Sequence, residues 1–200
     1  MWHQVLPYFL FLYNLLYKAI VPCSFPELLP ANTVNRQQYL GKWYFKAAVG
    51  HRETDIEQFK AVDNILFIME ETANNTLLLT GRIRMGDNCI KKNWTYHIDS
   101  EKDELQLEGR PDRRNLLWKG KWANCSNCII FQEIEPPLSE TDPMDSLHRM
   151  MLYARQIDGD SEMVTTFLKN TACHNMLASV RLPQEKGWSF QSFTNWLEMI

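Results

Sequence analysis

The sequence predicts an all-β domain followed by one α-helix. Short stretches in which apolar and polar residues alternate recur over residues 41–155, as expected for strands with one buried face. About eight such strands, separated by turn residues, are typical of a sandwich or a barrel. The pattern changes after Asp158, where the apolar residues between Ser161 and Lys169 take helical spacing.

The individual strands follow one another along the chain. The first begins at Gly41 and alternates Lys42 and Lys46 with Trp43 and Phe45. The polar stretch that follows is expected to form a short helix or a loop. Later strands are expected at residues 64–69, 77–85, 89–98, 105–108, 116–122, 128–134 and 149–155.

Length and composition suit one compact domain with a sizeable core. The chain has 200 residues, of which 45% are hydrophobic and 22% are charged. There are 21 Lys and Arg against 24 Asp and Glu, which gives a net charge of -3. This balance provides no general attraction to nucleic acid, so we expect no nucleic-acid partner, and any anion site has to be local. We expect a monomer.

The N-terminus differs from the rest of the chain. Residues 6–17 are nearly all apolar and resemble the hydrophobic region of a signal sequence, too short for a comfortable membrane span. No Ala-x-Ala cleavage site precedes Cys23, so cleavage and retention as an anchor both stay open. The expected organisation is a hydrophobic signal or anchor at 1–22, the β domain at 23–180 and a C-terminal tail at 181–200.

Cysteines and glycosylation motifs agree with secretion. Five cysteines in an oxidising compartment favour one or two disulfides and one leftover thiol. Cys125 and Cys128 have the spacing of half a zinc site, but no second half accompanies them, so no metal site is expected. The candidate N-glycosylation sites are Asn74, Asn93 and Asn124.

One of these motifs predicts the orientation of a strand. A glycan on Asn93 has to project from the domain, so strand alternation turns Lys92, Trp94 and Tyr96 inward. A cation, an indole N–H and a phenol on one inner face would make a site for an anionic head group. The alternative places Lys92 in water at the mouth and Trp94 in an ordinary core.

Three features together resemble the lipocalin family. They are Gly41-x-Trp43 near the first strand, the segment 152–155 that ends in Arg155, and a helix directly after it. This resemblance implies an eight-stranded antiparallel up-and-down barrel with one C-terminal α-helix. Within the lipocalins the resemblance is to the apolipoprotein M group, over roughly residues 1–180. It rests on segments 40–45, 62–67, 83–85, 94–97, 108–112 and 152–155.

The resemblance also implies a function. Members of this group carry sphingosine-1-phosphate in the barrel and keep an uncleaved signal sequence as an anchor in lipoprotein particles. We therefore expect a secreted, extracellular carrier of an amphiphilic lipid that associates with the phospholipid surface of lipoprotein particles. No cofactor and no catalysed reaction are expected.

Carried over residue by residue, the resemblance assigns the head group. The phosphate suits Arg149, Lys92 and Arg110, the ammonium suits Glu133, and the hydroxyl suits Tyr153. The family usually has Arg where this chain has Lys92. Strand alternation points Arg110 outward unless Gly109 introduces a bulge. The expected ligand-binding residues are Lys92, Trp94, Tyr96, Arg110, Glu133, Arg149 and Tyr153.

The resemblance assigns structural roles as well. Arg155 is expected to pack on Trp43, beside Gly41, and to close one end of the barrel without touching the ligand. Cys23 and Cys173 are expected to form a disulfide. The chain lacks two of the family's usual six cysteines, which leaves the pairing among Cys89, Cys125 and Cys128 open.

Three other functions remain to be separated from the transport of sphingosine-1-phosphate. A lipocalin-type isomerase would use an unpaired Cys89 as its thiolate nucleophile. A general lipocalin would carry retinoids or fatty acids, with water around the polar inner residues. A protein-interaction module would have a barrel filled by its own side chains.

Overall fold

A computed structural model describes residues 6–13, 23–33, 35–137, 146–157 and 161–182. Within them, helix α1 contains residues 6–13, α2 runs from Glu53 to Lys60 and α3 from Ser161 to Cys173. The strands are β1 (Gly41–Gly50), β2 (Asn64–Ala73), β3 (Thr76–Met85), β4 (Asn88–Asp99), β5 (Glu104–Leu107), β6 (Arg114–Lys119), β7 (Cys128–Glu135), β8 (Leu147–Ala154) and β9 (Ala178–Arg181).

The first eight strands close into a barrel, which confirms the predicted architecture. Each strand from β2 to β8 pairs antiparallel with the next, and β1 pairs with both β8 and β2. Trp43 lies opposite Phe67 on β2, and Phe45 lies opposite Tyr153 on β8. Because the sheet closes on itself, one face of every strand is directed into a single enclosed volume.

The second half of β1 pairs with a strand at each of its two edges. A register shift between Phe45 and Ala47 bends the strand. Beyond it, β9 pairs with residues 47–50, an addition that the sequence pattern did not predict. The predicted sixth strand is shorter than expected, because the chain turns into a short 3-10 helix at Gly120. A Cβ at Gly120 would overlap the Cys128 carbonyl, so only glycine allows this approach.

A second core lies between the barrel and α3, which forms where the sequence predicts it. Met163 and Phe167 on α3 are buried against the outer face of the sheet, next to Ile130, Leu152 and Val49. Strands β7 and β8 are therefore apolar on both faces over part of their length. This explains why their sequences alternate less clearly than those of the exposed strands.

Trp43 and Arg155 close one end of the barrel. The Arg155 guanidinium carbon lies 3.6 Å from the centre of the Trp43 ring, and its Nη1 donates to the Lys42 carbonyl at 3.1 Å. Gly41 has φ of +92°, a conformation that favours glycine. A Cβ on Gly41 would lie 3.0 Å from Arg155 Nη1, so glycine also makes room for the guanidinium.

Two disulfides are present. Cys23–Cys173 ties the N-terminal arm to the end of α3, and the Leu29 N–H donates to the Leu117 carbonyl at 2.9 Å, which holds the arm on β6. Cys125 pairs with Cys128, the pairing that the sequence left open. Cys89 stays free and exposed.

Parts of the predicted organisation lie outside the described residues. Of the signal or anchor at 1–22, only residues 6–13 are described, and their side chains are mostly exposed. Of the tail at 181–200, only residues 181 and 182 are described, and the loop at 138–145 is also outside. No helix in the described ranges is long and apolar enough to cross a membrane.

The two disulfides should differ in their effect on stability. The double variant Cys23→Ser, Cys173→Ser should lower the free energy of unfolding by about 2–5 kcal/mol, since the bridge constrains a long loop in the unfolded chain. The bridge Cys125–Cys128 spans a sequence separation of only 3, against 150 for the first bridge. Removing it should cost less. Urea unfolding of both double variants measures the difference, and equal losses would contradict this account.

Candidate ligand-binding site

The barrel encloses a cavity of about 440 Å³. This volume lies in the range of small-molecule sites, roughly 300–1,000 Å³. Its walls are mainly aliphatic and aromatic and come from the inward faces of the strands, with Gln58, Phe59 and Val62 added from α2 and the turn after it. The interior is therefore not filled by side chains. A filled interior is what the alternative of a protein-interaction module would require.

The inner face of β4 supplies Lys92, Trp94 and Tyr96 to the cavity wall, and Asn93 between them is exposed. Lys92 is itself solvent-exposed, so it stands where the cavity meets water. The Trp94 ring lies across Gly81 of β3, where a Cβ would come within 2.6 Å of the indole. Gly81 thus provides the space for Trp94, a role that no sequence motif indicated.

A charged cluster lies inside this apolar cavity. Glu133 on β7 and Arg149 on β8 are directly opposite each other, and the Arg149 guanidinium donates to Glu133 Oε2. Arg113 approaches the other carboxylate oxygen, with Nη1 3.6 Å from Oε1. All three side chains are largely buried: Glu133 is 7% exposed, Arg149 is 11% exposed and Arg113 is 16% exposed. Even for paired charges, the cost of removal from water can exceed their mutual attraction, so this cluster contributes little to stability.

Helix α2 contacts the cluster on the side of Arg149. Arg149 Nη1 donates to the Asp55 carbonyl at 3.3 Å, and the guanidinium carbon lies 5.2 Å from the centre of the Phe59 ring. The Gln58 amide lies against the guanidinium, and turning the amide places its oxygen 3.1 Å from Nη2 as an acceptor. The helix therefore covers the cluster and fixes the Arg149 side chain.

The structure does not bring Arg110 into the cavity. Gly109, with φ of +77°, starts a turn after β5 instead of a bulge that would redirect the strand. The Arg110 side chain is 56% exposed, and its Nη1 lies 3.1 Å from Glu135 Oε1. Arg113, at the other end of the same turn, lines the cavity and also donates from Nε to Glu135 Oε2 at 2.9 Å. Sequence reasoning missed Arg113 because the alternation of inward and outward side chains applies within a strand and cannot be extended across a turn.

Two tyrosines complete the polar part of the wall. Burial raises the pKa of Tyr96 and of Tyr153, and the charge of Glu133 adds to both shifts. Both phenols therefore stay protonated and can donate hydrogen bonds at neutral pH. The Tyr153 hydroxyl lies 3.6 Å from the Met151 sulfur, a weak acceptor that a ligand oxygen could replace.

The remaining candidate residues lie on the outside. Asn74, Asn93 and Asn124 are all exposed. Cys89 is exposed on β4 and does not line the cavity, whereas an isomerase would need its thiol there. Among the described residues, no group of three or more His, Cys, Asp or Glu side chains could hold a metal ion.

A hydrogen-bond chain crosses the outside of the barrel beside the cluster. The Trp118 Nε1–H donates to Gln132 Oε1 at 2.9 Å, so the Gln132 amide nitrogen faces His148 Nε2 at 2.8 Å. Because this amide nitrogen can only donate, His148 Nε2 has to accept, which requires a neutral imidazole. Burial and the neighbouring His51 lower the pKa of His148, while Asp55 opposes that shift.

Acid should therefore destabilise the fold through His148. Below about pH 6.5 the unfolded chain binds a proton at this histidine, whereas the folded chain binds it only at lower pH. The contribution of His148 to the free energy of unfolding is therefore fully present above that pH. It is lost as the pH falls through the pKa of His148 in the folded chain. Urea unfolding at about pH 7.5 and about pH 5.5 should show a smaller loss in His148→Gln than in the wild type. The exposed His97→Gln serves as the matched control; an unchanged loss in His148→Gln would exclude this role.

Comparison with known proteins decides the family. Residues 1–190 match the model of the ApoM domain. The chain belongs to the apolipoprotein M family. It is 30% identical to apolipoprotein M of Rattus norvegicus and 29% identical to that of Mus musculus, with 93% of this chain and 96% of each relative covered.

Solved structures agree on the fold alone. The siderocalin Ex-FABP matches with a TM-score of 0.58 at 14% identity, covering 75% of this chain and 97% of its own. The siderocalin Q83 matches with a TM-score of 0.56 at 17% identity, covering 78% of this chain and 96% of its own. Both are lipocalins. Membership of the apolipoprotein M family supports an extracellular lipid-binding carrier.

Proposed function

We propose that this member of the apolipoprotein M family carries sphingosine-1-phosphate in its barrel and associates with lipoprotein particles. The observation that carries the proposal is the buried cluster in which Glu133 lies between Arg149 and Arg113. The cluster sits in the wall of an otherwise apolar cavity. An ion pair in that position is costly for stability and is best explained as a receptor for a charged head group.

A head group that carries both charges can replace the internal pair. Its phosphate would take the guanidinium groups of Arg149 and Arg113, and its ammonium would take the Glu133 carboxylate. Every buried charge would then keep an opposite charge beside it. A fatty acid offers only the anion and sphingosine only the cation, so each would leave a protein charge without compensation. That condition costs about 3–5 kcal/mol when one partner of a buried pair is removed.

The other polar residues fit the same head group. Lys92, exposed at the edge of the cavity, adds a cation that a phosphate can reach without full loss of hydration. Tyr153 can donate to the lipid hydroxyl, and Tyr96 adds a second neutral donor in the wall. Lys92 stands where the family usually has arginine. It keeps the positive charge but lacks the planar guanidinium group, which can donate two parallel hydrogen bonds to a phosphate.

The apolar wall supplies the binding energy for the alkyl chain. Each buried CH₂ contributes about 0.8 kcal/mol, so a long chain drives uptake while the charged cluster selects the head group. Trp94, Phe67 and Ile83 are among the side chains that would contact the alkyl chain.

Association with lipoprotein particles would use the N-terminal segment. Residues 6–13 are helical, and the side chains of Leu6, Phe9 and Phe11 are exposed there. An uncleaved segment of this kind would bury its apolar side chains in a phospholipid surface layer and hold the barrel of a secreted protein beside it.

Arg149→Ala should separate head-group recognition from general lipid binding. We expect it to weaken sphingosine-1-phosphate binding about ten- to hundredfold, because a charge-assisted hydrogen bond contributes about 1.5–3 kcal/mol. Arg110→Ala is the matched control, since it removes an arginine that does not line the cavity, and it should bind as the wild type does. Titrations with sphingosine-1-phosphate, sphingosine and a fatty acid, followed by tryptophan fluorescence, measure these affinities.

Circular dichroism of both variants controls for folding. Equal affinity of the wild type for all three lipids, unaffected by Arg149→Ala, would reject the sphingosine-1-phosphate assignment. The protein would then be a general lipocalin carrier of fatty acids or retinoids.

A further inference from the structure

The hairpin formed by β3 and β4 borders the mouth of the barrel. Met85 and Ile90, on either side of its turn, both line the cavity and are 36% and 37% exposed. Two apolar side chains thus project at the edge of the opening. The Gly86 N–H donates to Asp63 Oδ2 at 2.5 Å, and Arg84 Nε donates to the Gly86 carbonyl at 3.1 Å, so the turn is held in place.

The same hairpin concentrates positive charge. Residues 82–92 contain four Lys and Arg side chains and one acidic side chain, in a chain with a net charge of -3. Arg82 lies directly opposite Lys91 on the two strands, which places two of these positive residues side by side. Lys91 and Lys92 are exposed and form no ion pair with any part of the chain that the structure describes.

We propose that this hairpin docks the mouth of the barrel onto an anionic phospholipid surface. Met85 and Ile90 would enter the head-group layer, and the exposed Lys91 and Lys92 would meet the lipid phosphates. A combination of exposed apolar side chains and adjacent cations is the chemistry that holds proteins at such surfaces. The positive hairpin on an otherwise negative protein selects an anionic surface over a neutral one.

Docking in this orientation directs the opening of the cavity toward the lipid. A ligand could then pass between the surface and the barrel without its alkyl chain crossing water. Transfer of the ligand in this way rests on the proposed function. Docking of the hairpin on a lipid surface does not, so an experiment can reject either one without the other.

Cys89 provides the probe for the test, because it is the free and exposed cysteine of the hairpin. An environment-sensitive fluorophore on Cys89 of the full chain is mixed with phosphatidylcholine vesicles, with or without phosphatidylglycerol. We expect a blue shift and higher emission with the anionic vesicles only. Lys91→Glu, outside the cavity wall, changes the local charge by two units and should weaken the apparent affinity for the anionic vesicles about thirtyfold.

Lys121→Glu is the matched control. Lys121 is an exposed lysine in the connection between β6 and β7, at the end of the barrel closed by Arg155, whose N–H donates to the Asn127 carbonyl. The same charge reversal there should leave the probe response unchanged. Sphingosine-1-phosphate binding of the labelled protein without vesicles, measured in parallel, reports on the proposed function alone.

The proposal is overturned if the protein sediments with anionic vesicles while the Cys89 probe does not respond, since another segment would then make the contact. It is also overturned if neutral vesicles give the same response, or if Lys121→Glu weakens it as much as Lys91→Glu does.

Discussion

Closure of the sheet through β1 is the constraint on which the rest of the structure depends. Because β1 pairs with β8 on one side and β2 on the other, the inward face of every strand meets one enclosed volume. Arg155 over Trp43 closes one end of this volume, and α2 covers part of the other. The second core, formed by α3 on the outer face, stabilises the strands without occupying the interior. The cavity can therefore stay open to a ligand.

Closure also fixes the chemistry of the interior. Glu133 and Arg149 are neighbours on adjacent strands, and both face inward, so neither can turn to water without disrupting the sheet. Arg113 joins them from a turn at the rim. A pair that is so costly to bury makes the empty barrel less stable than an apolar one, and a ligand with two opposite charges can take over its interactions. In the proposed function, head-group selectivity would arise from the same ion pair that reduces the stability of the barrel.

The sequence predicted the features that depend on local pattern. Strand alternation around the sequon at Asn93 placed Trp94 and Tyr96 inward, and both line the cavity. Lys92 also borders the cavity, but it is exposed at the mouth, as the alternative prediction had it. What it could not predict depends on turns and on contacts distant in the chain. Arg113 reaches the cavity because a turn at Gly109 ends the alternation, and Arg110 points away for the same reason. The pairing of Cys125 with Cys128, the added strand β9 and the space above Gly81 all follow from the three-dimensional arrangement.

Competition among lipids tests the central claim most directly. The full chain is incubated with equal amounts of sphingosine-1-phosphate, sphingosine and a fatty acid, separated from unbound lipid, and its bound lipid is identified by mass spectrometry. If Glu133 and the two arginines select a head group with both charges, sphingosine-1-phosphate should dominate the bound fraction. A bound fraction that follows the composition of the mixture would contradict the account and leave the barrel as an unselective lipid carrier.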